Sequence, residues 1–181
     1  MNKFSVAKKI AYTSLFSALC LVCTLFISIP FPVGHGYFNL GDTIVLLGGW
    51  LLGGLYGAIS AGVGSALADI LGGYAIYAPA TFVIKAVDAF VAYLVCRLLK
   101  KVFQKKSVDF IARALSAIVG ETLMVLGYLL YESILYGFAG ACLALVGNLT
   151  QGVIACVLAT ALFAGLYPIP RFRAQFQTLK D

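Results

Sequence analysis

The chain has 181 residues, of which 62% are hydrophobic and 11% charged, with a formal net charge of +6 and a mean hydropathy of +1.00. Soluble domains carry about 25% charged and about 45 to 50% apolar residues, so a water-soluble globule is excluded. One hydrocarbon crossing takes roughly 20 apolar residues as helix, which predicts an all-α integral membrane protein of about six transmembrane helices, with residues 1–181 forming a single transmembrane domain.

The first helix is expected over 7–29, ending at Pro30 and Pro32, because proline stops a helix and holds the preceding residue extended. Its apolar run follows Lys8 and Lys9 and lacks a small-residue cleavage site, the pattern of a retained span rather than a secretory signal. A loop through His35 and Asn39 leads to Asp42, which opens a second helix to residue 52 as an N-cap or first-turn anion. Gly53 and Gly54 mark a tight turn, and helix three follows over 56–71. After a tyrosine-rich loop, Pro79 starts helix four, which runs to 102. Helices five and six are expected over 109–136 and 139–166. The second helix is short for a full crossing.

Twelve of the thirteen cations fall at one set of helix ends: Lys3, Lys8 and Lys9; Arg97, Lys100, Lys101, Lys105, Lys106 and Arg113; Arg171, Arg173 and Lys180. The loops 30–41, 72–78 and 134–139 hold no Lys or Arg. By the positive-inside rule both termini are cytoplasmic and those loops face outward.

The thirteenth cation, Lys85, lies inside helix four, where an ionisable group marks a functional site by default. Asp88, three residues on, is its expected partner. At about 1.5 Å per residue, Lys85 and Asp88 lie about 9 and about 14 Å from the outer end of that helix. Asp42, Asp69, Glu121 and Glu132 join them in or at the outer ends of spans, while only Asp109 and Asp181 sit in cytoplasmic segments. Glu121, Tyr128 and Glu132 share one stripe of helix five, and Asn148 and Gln151 share one of helix six. Roofed by Tyr37, Asn39, Tyr74 and Tyr77, these stripes have the composition of a small-molecule pocket open to the outside. Each group also has a structural reading: Asp69 reaching the interface, Asp42 capping its helix, Lys85 with Asp88 fixing packing, Asn148 and Gln151 bonding between helices, and the tyrosines forming an interfacial belt. Their coincidence toward one side favours the pocket.

Other chemistries are discounted. There is no Gly-x-x-x-x-Gly-Lys-Ser/Thr loop for ATP. Gly53, Gly57, Ala61 and Ser65 read as a small-residue stripe for close helix contact. Intramembrane serine hydrolysis needs a base near Ser65, and the lone histidine, His35, falls in a loop, so a Ser/His dyad is not expected. Phosphotransfer to lipid needs metal-binding carboxylates near the cytoplasmic face, the wrong side here. The five cysteines, Cys20, Cys23, Cys96, Cys142 and Cys156, are odd in number and lie in apolar runs, so neither a disulfide framework nor a metal site is expected, and the chain is not read as an enzyme.

The stretches Gly36-Tyr-Phe-Asn-Leu-Gly-Asp42, Gly64-Ser-Ala-Leu-Ala-Asp69, Gly73-Tyr-Ala-Ile-Tyr-Ala-Pro-Ala-Thr81 and Ile84-Lys-Ala-Val-Asp88 resemble the substrate-binding S components of energy-coupling factor (ECF) vitamin transporters. The branch most resembled is that of riboflavin, pyridoxine and hydroxymethylpyrimidine uptake. The resemblance implies a multi-pass protein of the bacterial plasma membrane. It captures a vitamin from outside, pyridoxine or hydroxymethylpyrimidine in preference to riboflavin, and topples in the bilayer to deliver it. Its implied partners are a transmembrane coupling protein and two cytoplasmic ATPases. The chain itself then binds no cofactor, ATP being used by the partner subunits. The implied substrate-binding residues are Asn39, Asp42, Tyr77, Lys85, Asp88, Glu121, Tyr128, Asn148 and Gln151, and Ala7, Ala11, Ser14 and Ala18 form the face for the coupling protein. The competing class is a stand-alone ion-coupled carrier using Lys85, Asp88 and Glu121 as its path. A third is a purely structural membrane subunit.

Overall fold

A computed structural model of the chain describes residues 6–30, 37–103 and 108–172. The elements in order are α1 (Val6–Phe26), β1 (Ser28–Pro30), β2 (Tyr37–Asn39), α2 (Gly41–Leu52), α3 (Gly54–Leu71), α4 (Ala78–Phe103) and a final helical stretch, Val108–Leu166. That stretch is broken at Gly137, whose φ of 76° and ψ of 161° belong to no helix. Glycine alone adopts such a backbone without strain. The break separates α5 (108–136) from α6 (138–166), giving six helices among the elements of the described residues.

Among the described residues, Val6–Phe26, Gly54–Leu71 and Asp109–Leu166 are long and apolar enough to cross a membrane. The last supplies two crossings because of the break. The fourth helix, α4, carries Lys85 and Asp88, yet both are buried, while Phe82, Val83, Val87, Phe90 and Leu94 face outward. Charge inside and hydrocarbon outside is the arrangement a bilayer demands.

The short helix α2 spans only about 18 Å at about 1.5 Å per residue, and it is the centre of the bundle. All of its residues except Ile44 are buried, and it contacts α1, α3, α4, α5 and α6. Its glycines let neighbours approach: a Cβ on Gly57 of α3 would lie 2.7 Å from the Gly49 Cα, and one on Gly49 would collide with the Ala89 carbonyl of α4. Part of the expected small-residue stripe on α3 therefore serves packing, with Ala61 buried and Ser65 Oγ 3.2 Å from Cys20 Sγ of α1. Gly53, with φ of 87°, makes the α2–α3 turn.

One expected boundary is corrected. The first helix does not continue to residue 29; it ends at Phe26, and Ser28–Pro30 pairs antiparallel with Tyr37–Asn39, placing Ser28 opposite Asn39. The extended backbone that Pro30 imposes on Ile29 is better used in a strand than in a last helical turn.

The two ends of the bundle differ. At one, Lys9 Nζ stands 5.6 Å from the Tyr56 ring centroid, Arg97 donates to Tyr93 Oη at 3.1 Å, and Lys100 and Arg113 pair with Asp109. At the other, Tyr37, Tyr74, Tyr77 and Tyr131 form a row with successive ring centroids 4.7, 6.4 and 5.7 Å apart. Lys3, His35, Lys105, Lys106, Arg173, Lys180 and Asp181, like the loop residues 31–36, lie outside the described residues.

Candidate functional site

At the tyrosine end, α1, β2, α3, α4, α5 and α6 enclose a cavity of about 40 Å³, room for about three waters. Its lining includes six of the nine expected residues: Asn39, Tyr77, Lys85, Tyr128, Asn148 and Gln151. Those six come from four segments far apart in sequence.

Beneath the cavity runs a connected polar chain. Lys85 Nζ donates to Asp42 Oδ1 at 2.5 Å, and Gln151 Nε2 donates to Asp42 Oδ2 at 2.6 Å. Gln151 Oε1 in turn accepts from the Asn39 backbone N–H at 2.9 Å and from Asn39 Nδ2 at 3.1 Å. Asn39 Oδ1 accepts from the Gly41 N–H at 2.8 Å. Four elements, α4, α2, α6 and β2, are thereby fixed to one another. Buried polar groups are tolerated in this way when every member has its partner. Lys85 Nζ also stands 5.2 Å from the centroid of the Tyr128 ring, and Tyr128 Oη is 2.9 Å from Thr81 Oγ1. A cation over an aromatic face is attracted by the ring quadrupole.

The expected pairing of Lys85 with Asp88 is corrected. Three residues on a helix leave about 60° between side chains, so Lys85 faces α2 while Asp88 is turned to α5, packed on Gly120. Asp42, Asp88 and Glu121 are buried but do not line the cavity. Asp42 is the counter-ion under its floor, and with Leu40 at the N-cap of α2 it is a first-turn anion rather than the cap. Glu121 lies against Gly152 between α5 and α6, its carboxylate 3.3 Å from where a Cβ there would stand.

The cavity also takes Thr24, Tyr37, Ser65, Asp69, Tyr74, Thr81 and Glu132. Of these, the tyrosines and the two carboxylates belong to the outward polar set evident in the sequence, but the hydroxyls do not. Thr24 was detectable only as part of the inward face Thr13, Phe16, Cys20 and Thr24 at helical spacing. Tyr37 Oη donates to Asp69 Oδ1 at 2.7 Å and Tyr77 Oη to Glu132 Oε1 at 3.4 Å. Burial, then the Asp69 carboxylate, pushes the Tyr37 hydroxyl above its ordinary range; burial, then Tyr136 and Glu132, does the same to Tyr77. Both hydroxyls therefore remain donors at neutral pH.

On α1, Ala7, Ala11, Ser14 and Ala18 are exposed along one side, while Thr13, Phe16, Cys20 and Thr24 turn inward. Trp50 lies toward the cationic end, its Nε1 donating to Ser116 Oγ at 3.0 Å, with Arg113 near its ring and over that of Phe163.

The family model for the ECF-type riboflavin transporter S component matches residues 3–168. A Pyrococcus woesei chain, described as an uncharacterized protein in gap 3' region, is 33% identical over 141 residues, covering 78% of this chain and 89% of that one. Among solved structures, the S component of a bacterial ECF transporter superposes with a TM-score of 0.66 at 18% identity, covering 91% of this chain and 98% of the other. The S component for biotin of an ECF-type ABC transporter gives 0.66 at 20% identity, covering 97% and 99%. These two are similar in fold. Matched by the family model along nearly its whole length, this membrane-embedded chain belongs to the family of ECF-type riboflavin transporter S components.

Proposed function

We propose that this S component captures a small, flat, water-soluble vitamin or vitamin precursor from outside and delivers it inward with a coupling protein and two ATPases. Pyridoxine-like or hydroxymethylpyrimidine-like rings are favoured over riboflavin. The observation that carries the reading is the cavity at the tyrosine end: aromatic walls for a flat ring, and Asn39, Lys85, Asn148 and Gln151 to hydrogen-bond its edge. Buried hydrogen-bonding groups reject analogues that leave them unpaired. The cavity has room for about three waters, so a small ring asks for the least displacement of its walls. The family model's description supports riboflavin as the second reading.

Both termini and the cationic end face the cytoplasm in this proposal, which puts the tyrosine end outside. The exposed small-residue side of α1 is the surface for the coupling protein, since small side chains let a partner helix approach closely. The proposed substrate contacts are Asn39, Tyr77, Lys85, Tyr128, Asn148 and Gln151, with Asp42 holding Lys85 and Gln151 in place.

The test is mass spectrometry of small molecules released on denaturing the purified protein, followed by titration of a vitamin panel including riboflavin. A stoichiometric vitamin, together with liposome uptake only when the coupling protein and ATPases are added, is the expected result. Uptake by the chain alone under an ion gradient would establish the carrier reading instead.

A further inference from the structure

The cavity holds more acceptors than its own donors can serve. Among the described residues toward the middle and outer end of the bundle, one cation, Lys85, is buried with five carboxyls: Asp42, Asp69, Asp88, Glu121 and Glu132. Lys85 is already matched by Asp42 at 2.5 Å. Two of the remaining carboxyls line the cavity, and both are enclosed, Asp69 being 4% and Glu132 2% exposed. Each has one oxygen engaged by a tyrosine hydroxyl and the other, Asp69 Oδ2 and Glu132 Oε2, without a hydrogen-bond partner. The Thr81 hydroxyl can donate to Asp69 only while it accepts from Tyr128 Oη at 2.9 Å, so of the two carboxyls Glu132 is the less well served. The tyrosines that hold the two carboxyls, Tyr37 and Tyr77, stand on either side of Tyr74 in one row, so the two carboxyls flank a shared aromatic surface.

The cavity has room for waters that can serve such acceptors. A ligand that expels the water must bring its own donors or lose affinity. An ionised carboxylate only accepts, and its hydrogen bonds to charged donors are about twice as strong as neutral ones. We propose that Asp69 and Glu132 are the specificity-determining groups of this site and that its ligand is a flat heterocycle bearing an amino or protonated-nitrogen group, held by one or both carboxylates against the tyrosine row. This rests on the vitamin-capture reading and narrows it: rings carrying an amine are selected over those carrying hydroxyl or carbonyl groups at the same position.

Paired probes that differ only in that group test the inference. Pyridoxamine against pyridoxine, and 4-amino-5-hydroxymethyl-2-methylpyrimidine against its 4-hydroxy counterpart, are titrated calorimetrically into the full chain in detergent, with riboflavin alongside. The expected result is a preference of at least about tenfold for the amino member of a pair. In Asp69→Asn or Glu132→Gln, which keep the shape and an acceptor for the tyrosine, that ratio falls toward one while the melting temperature shows the fold intact. Equal binding of both members, a ratio unchanged in both variants, or binding of riboflavin alone overturns the inference and leaves vitamin capture standing. No binding by any probe, riboflavin included, overturns both.

Discussion

Lys85 and Asp42, 43 positions apart in sequence, meet at 2.5 Å in the middle of the bundle, with both side chains almost wholly buried. Removing one partner of such a pair leaves an uncompensated buried charge, which costs about 3 to 5 kcal/mol, whereas replacing both by apolar groups is often close to neutral. Lys85→Ala is therefore expected to lower the melting temperature in detergent sharply. Lys85→Met combined with Asp42→Leu is expected to recover part of the loss, limited by the Gln151 hydrogen bond it also deletes. A thermal-unfolding double-mutant cycle checks this, and additive losses would show the pair to be uncoupled.

Asp88 gives the opposite expectation. It is fully buried, packed on Gly120, and neither of its oxygens has a hydrogen-bond partner. Asp88→Asn removes a potential buried charge without changing shape, so the melting temperature should hold or rise. Because Asp88 does not line the cavity, vitamin affinity should stay within about threefold, under about 0.7 kcal/mol. Isothermal titration of the variant decides it.

The closeness of α2 to α4 depends on Gly49, where a Cβ would strike the Ala89 carbonyl. Overpacking of a tight core costs about 1 to 3 kcal/mol, and Gly49→Ala should show a loss of that order. Gly73→Ala is the informative contrast: nothing lies within 4 Å of its Cβ position, so its effect reports only the strain of a φ of 86°. Parallel melting curves separate collision from backbone strain.

Tyr37 and Tyr77 hold their protons more tightly in the fold than in the unfolded chain, burial being the larger cause for each. A raised folded-state pKa adds stability that is complete below the ordinary tyrosine value of about 10 and declines above it, as the unfolded chain ionises while the fold does not. Melting temperature should thus be insensitive to these groups between about pH 7 and 9 and fall beyond about pH 10. Tyr37→Phe should flatten that alkaline slope.

The outward side of α1 offers a separation of functions. Ala11→Leu with Ala18→Leu enlarges two exposed positions without touching the cavity lining. Vitamin binding by the variant should match the unaltered protein, while uptake with the coupling protein and ATPases should drop at least about tenfold, since a close helix contact tolerates no bulk. Loss of both activities would place the defect in folding instead.

The amino-acid sequence determined by itself that this is a helical membrane protein, where its crossings lie, and which polar groups gather toward one side. Those features follow from local physics: hydrocarbon selects apolar runs of fixed length, prolines and glycines punctuate them, and any charge within a span must turn inward. The inward stripes of α4, α5 and α6 were readable for the same reason. Partnership was not. Spacing along one helix made Asp88 the neighbour of Lys85, but the about 60° between them sends the two side chains to different helices, and only the packing of the short, glycine-rich α2 into the centre brings Asp42 to Lys85 and Gln151. The strand that replaces the last turn of the first helix, and with it the place of Asn39 in the cavity wall, depends on pairing with residues beyond the loop. So does the count of acceptors over donors, because whether a buried oxygen is served depends on which groups other segments bring within hydrogen-bond reach.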